Sequence, residues 1–380
     1  MMGSQSIRVL SVHWGFSIGG VAQYAAILDH VKDHAPIALS TICILNRQRH
    51  IDEKTLGRLS SLTIIERRGP LDIRWIAALR RHIEVLDPHL IMTHGFNGHF
   101  AAYVATCCTR SKQKFIASYH GEYHPPTRLK GLVAGIYNGL TEHYMRHVAS
   151  SVVSVADYCK KYLVSKGVDP KKITVIHNGI PDTKWPDTYA QLRRELNLPL
   201  SGVVIGAMSR LDPEKGISYL LKAFQRVAEL KPDAWLVIVG TGSQEHYLRD
   251  LAVDLRIQDR VRFAGFRSEA SRLLGAFDVF ALPSLAEYHS IGLLEAMRAG
   301  KAIVATDVGG NTESVSHDRE GLIVHARDVD GLAAALRVLV ENSDLRSRLG
   351  EAARRRFSEE FDVAIMVKET AGWMVRAADY

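Results

Sequence analysis

Residues 281–310 read ALPSLAEYHSIGLLEAMRAGKAIVATDVGG, and the reading of this stretch decides the fold. It completes a short apolar strand, Val279 to Leu282, closed by Pro283, which has no N–H for a continuing ladder. A polar turn follows, then a helix from about Ser290 to Ala299. Gly300 stops that helix, and a second apolar strand runs from Ala302 to Thr306. Strand, helix and strand in such close succession imply parallel strands with a helix on one face. Two carboxylates frame the turn, Glu287 and Glu295, eight positions apart. Eight residues make a little over two turns of about 3.6 residues, so an all-helical segment would set both on one face. The punctuation instead puts Glu287 in the loop and Glu295 inside the helix. The helix N-terminus between them offers unpaired N–H groups and the positive end of a dipole, a seat for phosphate. A carboxylate beside such a seat can hold hydroxyls of a ligand that also carries phosphate, as a sugar joined to a nucleoside diphosphate does. Two glutamates at this spacing are also what two solvated helix positions look like in a chain with 41 acidic residues.

Upstream, Val203 to Met208 is a fully apolar strand, followed by SRLDPEKGISYLLKAFQRVAEL, residues 209–230. Arg210 and Lys215, around Pro213 and Gly216, can converge on one pyrophosphate. The plainer alternative is a surface pair that balances Asp212 and Glu214. Trp235 to Val239 is a strand running into Gly240-Thr241-Gly242, and Arg260 to Ala264 a strand leading to Gly265-Phe266-Arg267. The lone G-x-G lacks a third glycine in register, which weakens a dinucleotide-dependent oxidoreductase reading. Downstream come a strand near 322–325, helices at 328–342 and 343–356, and an amphipathic helix at roughly 361–378.

The first half alternates in the same way. Strands are expected at Ile7 to Val12, Ile37 to Leu45, Leu62 to Ile65, Leu90 to Thr93, Phe115 to Tyr119, Val152 to Val155 and Ile173 to Ile176. Helices are expected at Ile73 to Leu86, Phe100 to Cys107, 128–148 and Tyr158 to Lys166, with another after the Gly19-Gly20 turn. This alternation argues a parallel sheet covered on both faces, with ligands at the carboxyl ends of the strands. His13, His94 and His120 fall just past strand ends, although a lone histidine there is more often a plain loop residue. Asn178-Gly179, Pro181, Pro186 and Pro199 punctuate a change of domain, with the boundary near Pro181 to Trp185.

At 380 residues the chain is long enough for two domains, each with its own core. A hydrophobic content of 47% and charged content of 23% suit a soluble globular protein. Cys43, Cys107, Cys108 and Cys159 show no metal spacing and no disulfide framework, so a reducing cytoplasm is expected. A single Arg8 followed by a strand does not read as a signal peptide, and no apolar run approaches a membrane span of about 18 residues. Charge is uneven: residues 1–185 hold 23 Lys and Arg against 13 Asp and Glu, whereas the remainder is net −3. A basic half suggests an anionic surface or substrate. No nucleic-acid-binding motif accompanies it. TRLKGLVAGIYNGLTEHYMRH, residues 127–147, sets Arg128, Lys130, Arg146 and His147 around an apolar stripe, which reads as core or as a peripheral membrane contact.

AEYHSIGLLEAMRAGKAIVATDVGGNTE, residues 286–313, resembles the E-x7-E signature of the retaining glycosyltransferases of family 4 (glycosyl transferases group 1), built on the GT-B fold. R-L-x-P-E-K-G at 210–216 is similar to the same family. One position departs: the family usually has Gly after the first Glu, and this chain has Tyr288. The resemblance implies two Rossmann-like, doubly wound parallel-sheet domains facing across a deep cleft, with the last helix crossing back to the first domain. Residues 1–182, with about 360–380, would be the acceptor side, and 183–359 the nucleotide-sugar side. Gly19 and Gly20 would touch the donor phosphates. Arg210, Lys215 and the helix start at Ser290, Ile291 and Gly292 would hold the diphosphate. Glu295 would bind ribose hydroxyls, and Glu287 the transferred sugar. Gly240 and Phe266 would complete the donor site, the backbone near Phe266 reading the nucleobase. His120 would contact the sugar.

The resemblance further implies metal-independent transfer, with retention, from a UDP- or GDP-linked sugar to a glycan or lipid-linked acceptor. It implies no cofactor, no bound metal and no nucleic-acid partner. The location implied is cytoplasmic, with peripheral attachment to the inner face of the cell membrane. Rival classes are a nucleotide-sugar epimerase or a phosphorylase on the same fold, or a non-catalytic basic protein that binds membrane or nucleic acid.

Overall fold

The computed structural model describes residues 6–15, 24–25, 27–46, 59–69, 71–107, 113–121 and 128–379. The chain divides into two compact units, Met1–His177 with Val363–Tyr380, and Asn178–Asp362. The first break falls a few residues before the expected Pro181–Trp185 hinge.

The first unit holds one wholly parallel sheet of β1 (Ile7–Trp14), β2 (Ile37–Asn46), β3 (Leu62–Arg67), β4 (Leu90–His94), β5 (Lys114–Tyr119), β6 (Ser151–Ser154) and β7 (Ile173–Val175). Its order is β3-β2-β1-β4-β5-β6-β7. Strand order therefore reverses between β1 and β4, and a sheet of this kind opens a crevice at that point, past the carboxyl ends. Side chains alternate between two buried faces, which is why the strands read as unbroken apolar runs. Val9, Leu90, Met92, Ile116 and Val153 pack with Met366, Val367, Trp373 and Met374 of the C-terminal helix Val363–Asp379. Leu10, Val12, Ile42, Ile44 and Ile91 pack with Trp75, Leu79 and Ile83 of helix Arg74–Leu86 and with Ala101 and Ala105 of helix Gly95–Thr106. Trp373 Nε1 donates to Ser151 Oγ at 2.8 Å and Lys114 Nζ to the Ala378 carbonyl at 2.9 Å, which ties the C-terminal helix to this unit.

Helix Gly95–Thr106 starts earlier than the expected Phe100. Gly95, Asn97 and Gly98 are weak helix formers, but Phe96 packs on Tyr137 at 4.2 Å between ring centroids, and this contact supports the first turn.

The second unit holds a parallel sheet of β8 (Val204–Met208), β9 (Trp235–Val239), β10 (Val261–Gly265), β11 (Val279–Leu282), β12 (Ala302–Thr306) and β13 (Gly321–Val324), in the order β10-β9-β8-β11-β12-β13. Here the order reverses between β8 and β11. Ile205, Leu236, Ile238, Val279 and Val304 pack on one face with helices Ile217–Leu230 and Val329–Glu341. Val204, Val237, Phe280, Leu282 and Ile303 pack on the other with helix Ile291–Arg298, Phe357 and Phe361. A helix not foreseen, Tyr189–Glu195, is started by a capping box between Thr188 and Gln191. Among the described residues no helix is long and apolar enough to cross a membrane.

Candidate functional site

The expected residues of the second unit all lie past the carboxyl ends of β8, β9, β10 and β11, the edge its switch point selects. Arg210 follows β8, and Lys215 ends the short turn Pro213–Lys215. Gly216 then adopts φ 63°, and a Cβ there would stand 2.0 Å from the Pro283 carbonyl oxygen. Only glycine lets this turn lie against the end of β11. Leu285 N donates to the Glu214 carbonyl at 2.7 Å, closing the same two loops on each other.

This closure brings Lys215 to Glu287. Lys215 Nζ and Ser284 Oγ each lie 2.7 Å from Glu287 Oε1. The Lys215 and Glu287 side chains are 18% and 9% exposed, so the pair is largely withdrawn from water. Glu287 is in the loop, as its punctuation implies, and its carbonyl abuts Gly309, which adopts φ 56° and whose Cβ would stand 1.7 Å from that oxygen. Ser284 is held in turn, because Thr306 Oγ1 donates to its carbonyl at 2.6 Å.

Arg210 is placed differently. Its guanidinium pairs with Asp212 and, at 2.7 Å, with Glu214, and its side chain is 66% exposed. Burial alone would raise the Asp212 carboxyl, but hydrogen bonds from Ser243 and the charge of Arg210 outweigh it and hold the group below its ordinary value.

Ser290 caps helix Ile291–Arg298, its Oγ accepting from Leu293 N at 3.4 Å, so Ile291 and Gly292 form the first turn. Glu295 lies one turn further in, half-buried. Burial pushes its carboxyl up to about 7, with Arg298 opposing. Gly240 follows β9 and donates its N–H to the Gly265 carbonyl at 2.9 Å, while Phe266 follows β10 and is largely exposed. The structure thus joins Lys215, Ser284 and Glu287 directly. It leaves Arg210 among its own acidic neighbours and sets Glu295 beside Arg298. Gly19 and Gly20 lie outside the described residues.

In the first unit, His120 follows β5 and His94 ends β4, with His13 near the end of β1. His13 and His94 flank the switch point and His120 lies one strand further along; all three alternate onto the face of the sheet that carries the C-terminal helix. His13 and His94 stack at 4.1 Å between centroids and share Ser11 Oγ, at 2.8 Å and 3.0 Å from their Nε2 atoms. His120 Nε2 lies 2.8 Å from Ser118 Oγ, and Tyr24 stands edge-on to the ring at 4.7 Å. On the opposite face, His99 Nδ1 lies 2.7 Å from Thr93 Oγ1. Burial pushes His120 down to about 4 and, with His120 adding, His13 and His99 down to about 3. These rings are neutral at pH 7. Sequence reasoning singled out His120 but missed Ser11, Tyr24 and Ser118. The two-residue spacing of Ser118, near the end of β5, and His120, just past it, was the available signal. Among the described residues no group of three His, Cys, Asp or Glu side chains is placed to hold a metal ion.

The family model described as Glycosyl transferases group 1 matches residues 189–356, and that described as Glycosyltransferase Family 4 matches residues 41–184. The chain is 31% identical over 390 residues to a GDP-mannose-dependent monoacylated alpha-(1-6)-phosphatidylinositol monomannoside mannosyltransferase of Corynebacterium glutamicum, which covers 96% of this chain and 97% of that protein. It is 35% identical over 202 residues to a glycogen synthase of Mycobacterium tuberculosis, 53% of this chain and 47% of that protein. The match thus spans about half the length of that relative. A crystal structure of Anabaena Alr3699/HepE in complex with UDP is similar in fold, with a TM-score of 0.80 at 21% identity, covering 97% of this chain and 100% of the other.

Proposed function

The chain belongs to the glycosyl transferases of group 1, family 4, which carry the GT-B fold, and from that premise we propose that it moves a sugar from a nucleotide-diphosphate donor to an acceptor hydroxyl with retention at the anomeric carbon. The observation that carries the reading is the Lys215–Glu287–Ser284 cluster in the loops at the second sheet's switch point. Lys215 has three donors, so it can keep Glu287 and still reach a diphosphate. Arg210 is held only by exposed pairs of the kind worth under about 1 kcal/mol, which a diphosphate can displace. Breaking the donor bond puts negative charge on the leaving phosphate. In the proposal Arg210, Lys215 and the N–H groups of Ile291 and Gly292 hold it, and loss of either cation slows transfer by about 10²–10³. Glu287 holds sugar hydroxyls and offsets positive charge developing on the ring. Glu295 holds the ribose, and Gly240 and Phe266 border the nucleobase. His120, on the first unit, accepts a sugar hydroxyl. A phosphate oxygen of the donor takes the acceptor's proton. No step needs a metal ion.

The donor class is UDP- or GDP-linked, supported by the GDP-mannose-dependent relative and the UDP-bound structural neighbour. The acceptor is a glycan or lipid-linked sugar in polysaccharide or glycolipid synthesis. Contact with an anionic membrane on the cytoplasmic side is supported by helix Arg128–His147, where Leu132, Ile136 and Leu140 recur every four residues at 74%, 55% and 49% exposure. Sedimentation with anionic vesicles tests it: Leu132→Glu with Ile136→Glu should abolish binding, and unchanged binding would remove the proposal. A thermal-shift screen with UDP, GDP, ADP and their sugars tests the main reading, because a ligand that binds only the folded state raises the melting temperature. One nucleotide series should stabilise the protein, and none doing so would defeat it.

A further inference from the structure

The chain leaves the first unit after His177 and returns to it after Asp362. Both crossings are fastened where they meet the second unit. Ile180 N donates to the Phe361 carbonyl at 3.1 Å, and Ile180 pairs with Asp362 as a parallel bridge. Arg354 grips both carboxylate oxygens of Asp182, at 2.9 Å and 2.7 Å. The segment 178–182 is also tied to both ends of helix Ile291–Arg298, whose start is the candidate phosphate seat. Asn178 Nδ2 donates to the His289 carbonyl at 3.2 Å, just ahead of the Ser290 cap. Arg298 Nη1, in the last turn, donates to the Pro181 carbonyl at 2.9 Å. The lengths agree, since eight helical residues rise about 12 Å and three residues of extended chain span about 10 Å. Between the two ties, Ile180 is buried in the same core as Leu293, Leu294, Ala296 and Met297 of the helix. The segment is a strap along the helix, held at each end by one side chain.

We propose that Asn178 and Arg298 are positioning residues for the donor seat, and that they couple order in the strap to order in the Glu287 loop and the helix start. The identity of the ligand as a nucleotide sugar rests on the proposed function; the coupling does not. Each side chain acts through a backbone carbonyl, and neither needs to touch the ligand. His289 lies two residues from Glu287, so its held carbonyl fixes the loop beyond the point where Gly309 braces it. Arg298 suits the negative end of the helix dipole, and by reaching Pro181 it ties that end to the strap. One tie would leave a pivot. Two fix the line of the helix axis, and with it the direction of the N–H groups of Ile291 and Gly292. By linkage, a ligand that orders the seat orders the strap by the same free energy. A small tilt spoils alignment of the reacting atoms more than it spoils the hold of the long Lys215 and Arg210 side chains on a diphosphate, so loss of a tie falls on kcat.

Hydrogen–deuterium exchange of the free protein reads the coupling. Asn178→Asp keeps the side-chain shape, removes the donor and sets an oxygen against the His289 carbonyl. Exchange in peptides covering 178–183 and 286–294 should quicken together, by about three- to tenfold, the worth of one ordinary hydrogen bond. Arg298→Met should do the same, whereas Arg298→Lys keeps a donor and should stay near the wild-type rate. Asn178→Ala replaces Asn178→Asp if the latter fails to fold. Quickening confined to the mutated segment, or none in either segment, overturns the proposal. In the wild type, bound UDP or GDP should slow exchange at 178–183 as well as at the seat, and slowing at the seat alone also overturns it. With the donor and acceptor in hand, Asn178→Asp should lower kcat about tenfold and leave the donor KM within about twofold. A lower melting temperature with unchanged kcat would mark a tie that serves stability only and overturn the positioning role. The free-protein rates need no substrate, so coupled exchange in a protein that binds no nucleotide would defeat the functional reading and leave the coupling standing.

Discussion

Replacing Lys215 by Met separates what the Lys215–Glu287 pair does for folding from what it does for binding. At 2.7 Å, with an effective dielectric of about 20, the gross attraction is about 6 kcal/mol. Desolvation of both ions offsets most of this. The variant leaves a carboxylate at 9% exposure with Ser284 as its remaining partner. Removing one member of a fully buried pair costs about 3–5 kcal/mol; the partial exposure and the retained Ser284 bond reduce this to about 1–3 kcal/mol. For a unit of this size that lowers the melting temperature by about 2–10 °C. Glu287→Gln should cost less, since the amide keeps a hydrogen-bonding oxygen. A double-mutant cycle on the two positions should give a coupling of about 1–2 kcal/mol. Calorimetric titration of the nucleoside diphosphate into the same variant should show a 10–100-fold weaker Kd, about the worth of one charge-assisted hydrogen bond. Additive stabilities together with an unchanged Kd would refute the reasoning on both counts.

Acid should loosen the first unit. The His13, His99 and His120 pKa values are lowered from 6.5, so the unfolded chain takes up protons first, and stability is complete above 6.5 and falls towards 4. At about pH 5.5 each ring costs about 1.4 kcal/mol, and the three together about 4 kcal/mol, relative to pH 7.5; hydrogen exchange in β1, β4 and β5 should show it, and flat protection across that range would count against neutral buried rings. Glu295 has the opposite sign. Its raised pKa favours the folded state at low pH, and that advantage is lost as pH rises through about 7. Glu295→Gln should therefore raise stability by about 1–3 kcal/mol at pH 8 and leave it nearly unchanged near pH 4, and equal effects at both pH values would contradict the assignment. Gly309→Ala puts a methyl against the Glu287 carbonyl and forces a positive φ on alanine, so at least about 1–3 kcal/mol of stability should go, together with nucleotide-sugar turnover; a variant with wild-type melting and turnover would show that the Glu287 loop is not braced there.

Much of this arrangement could be read from local punctuation. Pro283, Ser290 and Gly300 bound a loop and a helix, and from them Glu287 falls outside the helix and Glu295 within it. The strands were legible because each is apolar on both faces and ends abruptly. Arg210 balancing Asp212 and Glu214 was also readable, since its partners lie two and four residues away. The Lys215–Glu287 contact was not, because 72 residues separate the partners and their meeting depends on β8 lying next to β11. The role of Ser284 has the same origin. Gly309 stood in the D-V-G-G run, but only its approach to Glu287 shows what it does.

The central claim is that a nucleotide sugar seats on the carboxyl edge of β8 and β11. Hydrogen–deuterium exchange with and without the nucleotide sugar that most stabilises the protein tests it most directly. The account predicts slowed exchange in peptides covering Ser209–Gly216 and Ser284–Glu295 on binding. Slowed exchange confined to other segments of a protein that demonstrably binds the ligand would contradict it.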